Sequence, residues 1–231
     1  MDWSSFVNST PDRAVRPFLA QALAMRAEAA RDGGLDVVPN VEPGVVPGVV
    51  PAVAIDLGCG DGAEARHLAA DGWQVYAFDG AEGVEARVVA GVPVEHADRL
   101  TVTRVKFEEL DSLPACDLMY AGRSLPFCAQ KAFPRLWHTI VGAIAPDGWF
   151  VGDFFGPNDS WVGRPDMNFH GRQEIADLLV GFELDRLEEA EGTAHTPFGD
   201  KHMHILSVVA HRPITSPELP QMTLPGATQR K

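Results

Sequence analysis

The clearest chemical signal in this sequence is a glycine-rich turn within Ile55-Asp56-Leu57-Gly58-Cys59-Gly60-Asp61-Gly62. A short apolar run leads into the turn, and a helix-forming segment follows it. Glycine lets the backbone come close to a ligand or adopt angles that other residues rarely take. Such a turn at the carboxyl end of a parallel strand is where open α/β sheets bind nucleotide-like ligands. The turn therefore predicts a nucleotide site and leaves the kind of nucleotide open.

The segments around this turn alternate between strand and helix, which favours a parallel sheet with helices on both faces. The predicted strands are Val53–Leu57, Gln74–Phe78, Leu100–Val105, Asp117–Ala121 and Trp149–Phe155. The predicted helices between them are Ala63–Ala70, Glu82–Val89 and Ala129–Ala145, the last with Pro134 in its first turn. The turn signal Pro146-Asp147-Gly148 separates that helix from the fifth strand.

The pattern changes after residue 170. Arg172–Val180 predicts a helix, and Phe182–Ala190 and His202–His211 predict two strands joined by a longer loop. Two strands with no helix between them indicate an antiparallel pair at the edge of the sheet. The expected fold is a Rossmann-like α/β domain with a seven-stranded, mostly parallel sheet, an antiparallel last strand and helices on both faces.

Three regions are expected along the chain. Residues 1–51 contain a helix over 13–31 and a Pro/Val-rich connector, which either crosses the surface or closes over the ligand site. Residues 52–212 form the α/β domain. Residues 213–231 hold four prolines and little apolar periodicity, which predicts a disordered tail.

Composition narrows the classes of partner. The formal net charge of -13 and the pI of about 4.9 argue against a nucleic-acid backbone or an anionic membrane surface as the main partner. No apolar run long enough to span a membrane and no signal-peptide pattern is seen. The three cysteines show no metal-like spacing, so we expect a cytoplasmic protein with neither a disulfide nor a bound metal.

Two kinds of nucleotide compete for the turn. Gly58, Gly60 and Ala63 satisfy the dinucleotide pattern G-x-G-x-x-G/A, so an NAD-dependent oxidoreductase is an alternative. Asp56 argues against it, because a carboxylate beside a pyrophosphate is unfavourable, whereas it suits a ligand with an ammonium or sulfonium charge. Asp79 ends the second strand, where an acid accepts hydrogen bonds from ribose hydroxyls of either nucleotide. No second dinucleotide half follows.

The ordered set of motifs resembles class I S-adenosylmethionine-dependent methyltransferases. The glycine turn is similar to their motif I, and Tyr76-Ala77-Phe78-Asp79 is similar to their motif II. Further matches are Phe107-Glu108-Glu109-Leu110, Asp117-Leu118-Met119-Tyr120-Ala121, and the helix, turn and strand of 136–150. Narrower likenesses to bacterial small-molecule, tellurite-resistance-like members lie at Ser124–Cys128, Phe169–Arg172 and Lys201–His204. These likenesses indicate the fold and the cofactor more than they indicate the reaction.

The resemblance implies a role for each matching residue toward S-adenosylmethionine. Gly58, Cys59 and Gly60 would pack against its amino-acid part and ribose, and Asp56 would help to hold its ammonium group. Asp79 would bind the ribose hydroxyls. The remaining implied contacts are Gly80, Phe107 and Glu108 with the adenine, and Ala121 with the methionine portion.

The sequence names no single catalytic residue, because methyl transfer requires a base only when the nucleophile must lose a proton. His170 and Arg123 are candidates at the acceptor side, the latter also suited to a surface ion pair. His202 and His204 lie two apart on one face of a strand, without a third metal ligand at a telling spacing. Trp3 and Trp161 are candidate lids or core residues.

The expected activity is methyl transfer to O, N or S of a small molecule by a monomer or homodimer. A second alternative, besides the NAD enzyme, is a non-catalytic cofactor-binding protein with a regulatory role. Cys59 is expected to pack rather than react, and the acids between Glu183 and Glu191 are expected to form a solvated strand face.

Overall fold

The sheet of this protein has seven strands in the order β3-β2-β1-β4-β5-β7-β6. A computed structural model describes residues 14–32, 51–196 and 199–214. The strands are β1 (Val53–Leu57), β2 (Gln74–Asp79), β3 (Leu100–Arg104), β4 (Cys116–Ala121), β5 (Ile144–Phe155), β6 (Glu183–Thr196) and β7 (Gly199–His211). Strands β1 to β5 are parallel, and β7 is antiparallel to both of its neighbours. The predicted fold class is confirmed.

Helices cover both faces of the sheet. They are α1 (Pro17–Asp32), α2 (Ala63–Ala70), α3 (Val84–Ala90), α4 (Phe133–Ala143) and α5 (Arg172–Leu178). The first three helices bury their apolar side chains in one core, and α4 and α5 bury theirs in a second core on the opposite face. The strands supply alternate residues to the two cores, because successive strand side chains point to opposite faces.

Helix α4 shows why the local sequence selects a helix. Phe133, Leu136, Trp137 and Ile140 are buried at the helical spacing of an apolar stripe. Pro134 lies in the first turn, as predicted, where its missing N–H is not needed. The helix begins at Phe133 rather than Ala129, since residues 130–132 form a turn in which the N–H of Ala132 donates to the carbonyl of Ala129 at 2.8 Å.

The predicted long loop between the last two strands is wrong. Strands β6 and β7 continue in register as far as Thr196 and Gly199, so His195 lies on a strand and pairs with Asp200. The sequence pattern did not reveal the ends of β6 and β7 that approach Thr196 and Gly199. These ends extend past Phe155, where β5 stops opposite Ile205. Beyond that point no third strand among the described residues flanks the hairpin, and its polar residues lack the alternation that marks a half-buried strand.

A buried ion pair fixes the segment after β5 to this hairpin. The ammonium of Lys201 donates to Oδ1 of Asp159 at 2.6 Å, and both residues are 3% exposed. The Lys201 Nζ atom also lies 4.6 Å from the ring centre of Phe155 and 4.2 Å from that of Trp161. Trp161 is half-buried in this contact, so its predicted lid role has a packing alternative.

Several predictions concern residues outside those that the structure describes. They are Trp3, most of the Pro/Val-rich connector and the tail from residue 215. Among the described helices, none is both long and apolar enough to cross a membrane.

Removal of Lys201 tests how strongly this ion pair holds the hairpin. We expect Lys201→Ala to lower the free energy of unfolding by about 3–5 kcal/mol, because it leaves the Asp159 carboxylate buried without its cation. Urea denaturation followed by tryptophan fluorescence measures the change. The exposed lysine variant Lys131→Ala serves as the control and should show no measurable loss. A Lys201→Ala loss as small as that of the control would contradict this account.

Candidate functional site

The candidate site lies at the carboxyl edge of the sheet between β1, β2 and β4. Strand β1 pairs with β2 on one side and with β4 on the other, so the chain reverses its direction of progress across the sheet at this point. A crevice outside such a reversal is the usual ligand position in open α/β sheets. The turns that follow these strands bring the predicted residues together.

The glycine turn after β1 depends on a very close contact. Gly58 has a φ of +82°, and a Cβ atom there would lie 2.2 Å from Cβ of Ser124, in the turn after β4. The Ser124 hydroxyl donates a hydrogen bond to the carbonyl of Leu57, and the Gly58 N–H donates to the carbonyl of Phe78 at 2.7 Å. No larger residue at position 58 permits this contact.

Asp79, at the end of β2, is bound to the same turn. Its Oδ2 accepts the N–H of Gly60 at 2.9 Å, and its Oδ1 accepts the N–H of Ala81 at 2.7 Å. The side chain is half-buried. A carboxylate oxygen accepts two hydrogen bonds, so each oxygen retains capacity for a ligand hydroxyl.

Acidic groups dominate the β1–β4 side of the edge. Asp56 and Glu64 are each 2% exposed, and Asp153 on β5 is 7% exposed. Burial raises the pKa of Asp153, an effect opposed by the Ser207 hydroxyl and by the Arg123 backbone and charge. Burial also raises the pKa of Tyr120, and the charge of Glu64 adds to the effect, so the phenol is neutral at physiological pH.

Cys59 is not an activated nucleophile. It is 3% exposed, and burial raises the pKa of its thiol well above the usual value. The neighbouring carboxylates of Asp56 and Asp79 raise it further. The thiol is therefore protonated at physiological pH and acts as a small packing group, consistent with the prediction.

The residues expected around an adenine lie on the neighbouring rim. Phe107 and Glu108 form a 3₁₀ turn after β3, with Phe107 half-buried and Glu108 exposed. Glu108 Oε1 accepts the N–H of Ala129 at 3.0 Å, and Gly80 is exposed beside Lys106. Ala121 differs from the others, since it is fully buried in the core under α4 and presents no surface to a ligand.

His170 lies beside the edge, on the face covered by α4. Its ring is 4.5 Å from that of Phe133 and 5.6 Å from that of Phe154, measured between ring centres. Its Nδ1 atom is buried without a hydrogen bond among the described residues. Burial lowers the pKa of this imidazole, and the charge of Glu174 opposes that shift.

Asn168 is a residue that the sequence did not single out. It is 3% exposed, and its Nδ2 donates to the carbonyls of Leu125 and Cys128 at 2.8 and 2.9 Å. These bonds join the segment after β5 to the turn after β4. Its Oδ1 is buried without a hydrogen bond among the described residues. No sequence signal marks it, because its partners are backbone carbonyls distant along the chain.

Arg123 follows β4 in a left-handed conformation, with a φ of +55°. Its N–H donates to Oδ2 of Asp153 at 3.0 Å, and its side chain is exposed. The buried carboxylate therefore fixes the backbone at the point where β4 meets the candidate site.

The hairpin histidines are separated from the glycine turn and are held by acids. His204 is 2% exposed; its Nδ1 accepts the N–H of Asn158 at 3.1 Å, and its Nε2 lies 2.8 Å from Glu189 Oε1. His204, Glu189 and Glu191 bring three potential metal-ligand atoms within 4.8 Å of one another. Because Nδ1 accepts a proton donor, Nε2 carries the hydrogen and donates to Glu189. That tautomer leaves His204 no lone pair for a metal. Exposed His202 contacts Glu191 at 3.1 Å.

Comparison with known proteins shows what the α/β domain resembles. Residues 55–152 match the family model described as methyltransferase domain. The matched segment, less than half of the chain, is similar to methyltransferase domains. The matched residues run from β1 to β5 and include the glycine turn, Asp79 and the turn after β4. A search of curated proteins gives no match to the sequence.

Solved methyltransferase structures share the fold of this chain. TehB from Haemophilus influenzae aligns with a TM-score of 0.61 and 14% identity over 91% of this chain, which spans 65% of the length of TehB. An S-adenosylmethionine-dependent methyltransferase from Mesorhizobium loti aligns with a TM-score of 0.55 and 21% identity, covering 72% of this chain and 94% of that one.

Magnesium protoporphyrin IX methyltransferase from Synechocystis PCC 6803, solved with bound S-adenosylhomocysteine, aligns with a TM-score of 0.56 and 15% identity. The alignment covers 90% of this chain and 91% of that one. S-adenosylmethionine is the cofactor that the sequence motifs imply. The donor set fits it, because its sulfonium and ammonium charges suit a wall of buried carboxylates and its ribose diol suits the open acceptor positions of Asp79.

Gly58→Ala tests the close contact on which the turn depends. Both this variant and Gly83→Ala force alanine into positive φ, at about 1–2 kcal/mol each. Position 83 has open space around it, with a φ of +71°. We expect Gly58→Ala to lower the free energy of unfolding beyond the Gly83→Ala value and to weaken S-adenosylhomocysteine binding, because Ser124 must move. Denaturation and calorimetry measure the two effects. Equal losses in both variants would disprove a steric requirement at position 58.

Proposed function

We propose that this protein transfers the methyl group of S-adenosylmethionine to an oxygen, nitrogen or sulfur atom of a small molecule by in-line displacement. The observation that carries the proposal is Asp79, whose carboxylate joins the turns after β1 and β2 and retains hydrogen-bond capacity on both oxygens. The similarity of residues 55–152 to methyltransferase domains supports this donor. The acceptor class rests on the acidic chain and on the polar and aromatic residues beside the edge.

Every predicted cofactor residue except Ala121 receives a role in this proposal. Asp79 holds the ribose hydroxyls, and the backbone of Gly58, Cys59 and Gly60 faces the amino-acid part and ribose. Asp56 provides negative charge near the ammonium group. Gly80, Phe107 and Glu108 border the adenine. Gly122 replaces Ala121 as the proposed β4 neighbour of the methionine portion, because it is partly exposed and Ala121 is not.

The chemistry places few demands on the protein. S-adenosylmethionine supplies an electrophilic methyl carbon; its bond to sulfur breaks as the bond to the acceptor forms. The chain must align the acceptor and exclude water. It must also remove a proton when the nucleophile is a hydroxyl, a thiol or an ammonium.

His170 is the residue that we propose as the base. Burial lowers its pKa, so the imidazole is neutral at physiological pH and able to accept a proton. Its Nδ1, and Oδ1 of Asn168, are buried polar atoms that a bound acceptor or water would satisfy. Arg123 is proposed to contact the acceptor from the exposed end of β4. His202 and His204 are less suited, because acids already engage their rings.

The class of acceptor, the oligomeric state and the location are part of the same proposal. A net charge of -13 disfavours nucleic acid as the acceptor, and a monomer or homodimer remains the expected state. A cytoplasmic location remains an expectation from the cysteine pattern.

Calorimetry tests the cofactor site. We expect S-adenosylhomocysteine to bind and NAD not to bind. Asp79→Ala should weaken S-adenosylhomocysteine binding by at most about 1.5–3 kcal/mol for each charge-assisted hydrogen bond lost. Glu95→Gln, an exposed carboxylate before β3, is the matched control and should bind normally. An unchanged dissociation constant for Asp79→Ala would refute its role, and NAD binding without S-adenosylhomocysteine binding would refute the proposed function.

An acceptor screen with methyl-labelled S-adenosylmethionine tests turnover and the base. Label should enter a small-molecule alcohol, amine or thiol, whereas tight cofactor binding without transfer to any of them would favour the non-catalytic alternative. With a proton-bearing acceptor, His170→Asn should lower kcat by about 10²–10⁴-fold while S-adenosylhomocysteine affinity is retained. Because burial lowers the pKa, the wild-type rate should fall only below about pH 6.5, the ordinary histidine value. His138→Asn, on the exposed face of α4, is the control. Full activity in His170→Asn would exclude it as the base.

A further inference from the structure

Arg16 lies beside the glycine turn although it is far from that turn in sequence. It precedes α1, and its backbone N–H and its guanidinium donate to the same oxygen, Oε1 of Glu64, at 3.2 and 3.1 Å. Glu64 is in the first turn of α2, which begins directly after the glycine turn, and is 2% exposed. Two bonds from one residue therefore fix the start of α1 next to the cofactor turn.

The charge of Arg16 acts on the carboxyl edge of the sheet as well as on α2. It opposes the burial that raises the pKa of Tyr120 on β4 and of Asp153 on β5. The side chain of Arg16 is 32% exposed. Among the described residues, its guanidinium uses one donor, toward Glu64, so other N–H groups remain for a ligand.

The methionine end of S-adenosylmethionine carries both an ammonium and a carboxylate. The buried acids Asp56, Glu64 and Asp153 suit the ammonium but repel the carboxylate. A cation at this edge is needed to bind the carboxylate, and a guanidinium matches it with paired N–H donors. Arg16 is held at the edge by an acid that is itself buried, which limits the freedom it would lose on binding.

We infer that Arg16 binds the carboxylate of the cofactor's methionine portion and that Glu64 positions it for this contact. The inference rests on the proposed cofactor site. It gives the start of α1 a direct part in cofactor selection, since a ligand without the carboxylate gains nothing from Arg16. Two other cations lie near this edge. The backbone of Arg123 is fixed toward Asp153 on the acceptor side of β4. Arg87, whose charge reaches Cys59, lies on α3 after β2 and donates to the carbonyl of Glu82.

Binding of S-adenosylmethionine and of its decarboxylated analogue, measured by calorimetry, tests the inference without requiring turnover. Arg16→Gln should weaken S-adenosylmethionine binding by about 10- to 100-fold, in line with loss of a charge-assisted pair, and should leave the decarboxylated analogue within about twofold. Arg16→Lys should give an intermediate loss, because a point charge replaces the planar fork. Arg31→Gln, at the other end of α1, should leave both affinities unchanged.

The outcomes separate this inference from the proposed function. Equal weakening of both ligands by Arg16→Gln would show that Arg16 only anchors α1, and unchanged affinities would show no role; either result overturns the inference and leaves the cofactor site intact. If the unaltered protein binds neither ligand, the cofactor site and the inference fail together. Thermal melting of each variant by circular dichroism identifies a folding defect, and Arg16→Lys then gives the decisive comparison.

Discussion

The site depends on one close contact, in which the backbone of Gly58 lies against the side chain of Ser124. It brings the turn after β1 against the turn after β4 at the place where the sheet reverses direction. The Ser124 hydroxyl completes the contact by donating to the Leu57 carbonyl. Because both turns are fixed, the Gly60 N–H is held where Asp79 accepts it. The absence of a side chain at Gly58 thus allows the ends of β1, β2 and β4 to lie close together.

Two halves of different character meet along this edge. On the side of α1 to α3, buried carboxylates make the edge negatively charged. In the described part of the N-terminal region, Arg16 is the cation that binds an acid of α2, Glu64. On the other side, the segment after β5 is tied down by Asn168 and by the Lys201–Asp159 pair. Electrostatics shapes the proposed donor half, whereas packing and backbone hydrogen bonds shape the proposed acceptor half.

Local sequence pattern recovered the parallel part of the fold well. Strands β1 and β2 and helix α2 are short apolar or amphipathic segments next to glycines. In each, the spacing of the apolar residues indicates the type of element, and the glycine indicates where it ends. The parts of β6 and β7 beyond the predicted strands were missed because their described residues are mostly polar and exposed, and the buried one among them, Lys201, is a lysine rather than an apolar residue. Asn168, Glu64 and Arg16 were also missed, since each acts through partners more than 35 positions away and no spacing in the sequence links them.

The sequence by itself determined the fold class, the glycine turn and the acid that ends β2, because these follow from local period and from the backbone freedom of glycine. It also indicated the proposed methyl donor through the charge of Asp56 and the order of the motifs. Tertiary structure decided which polar groups are buried, that Ala121 lies in the core, and that Arg16 meets Glu64. Burial and long-range pairing arise only when the layers pack, so the electrostatic character of the site is a property of the fold rather than of any segment.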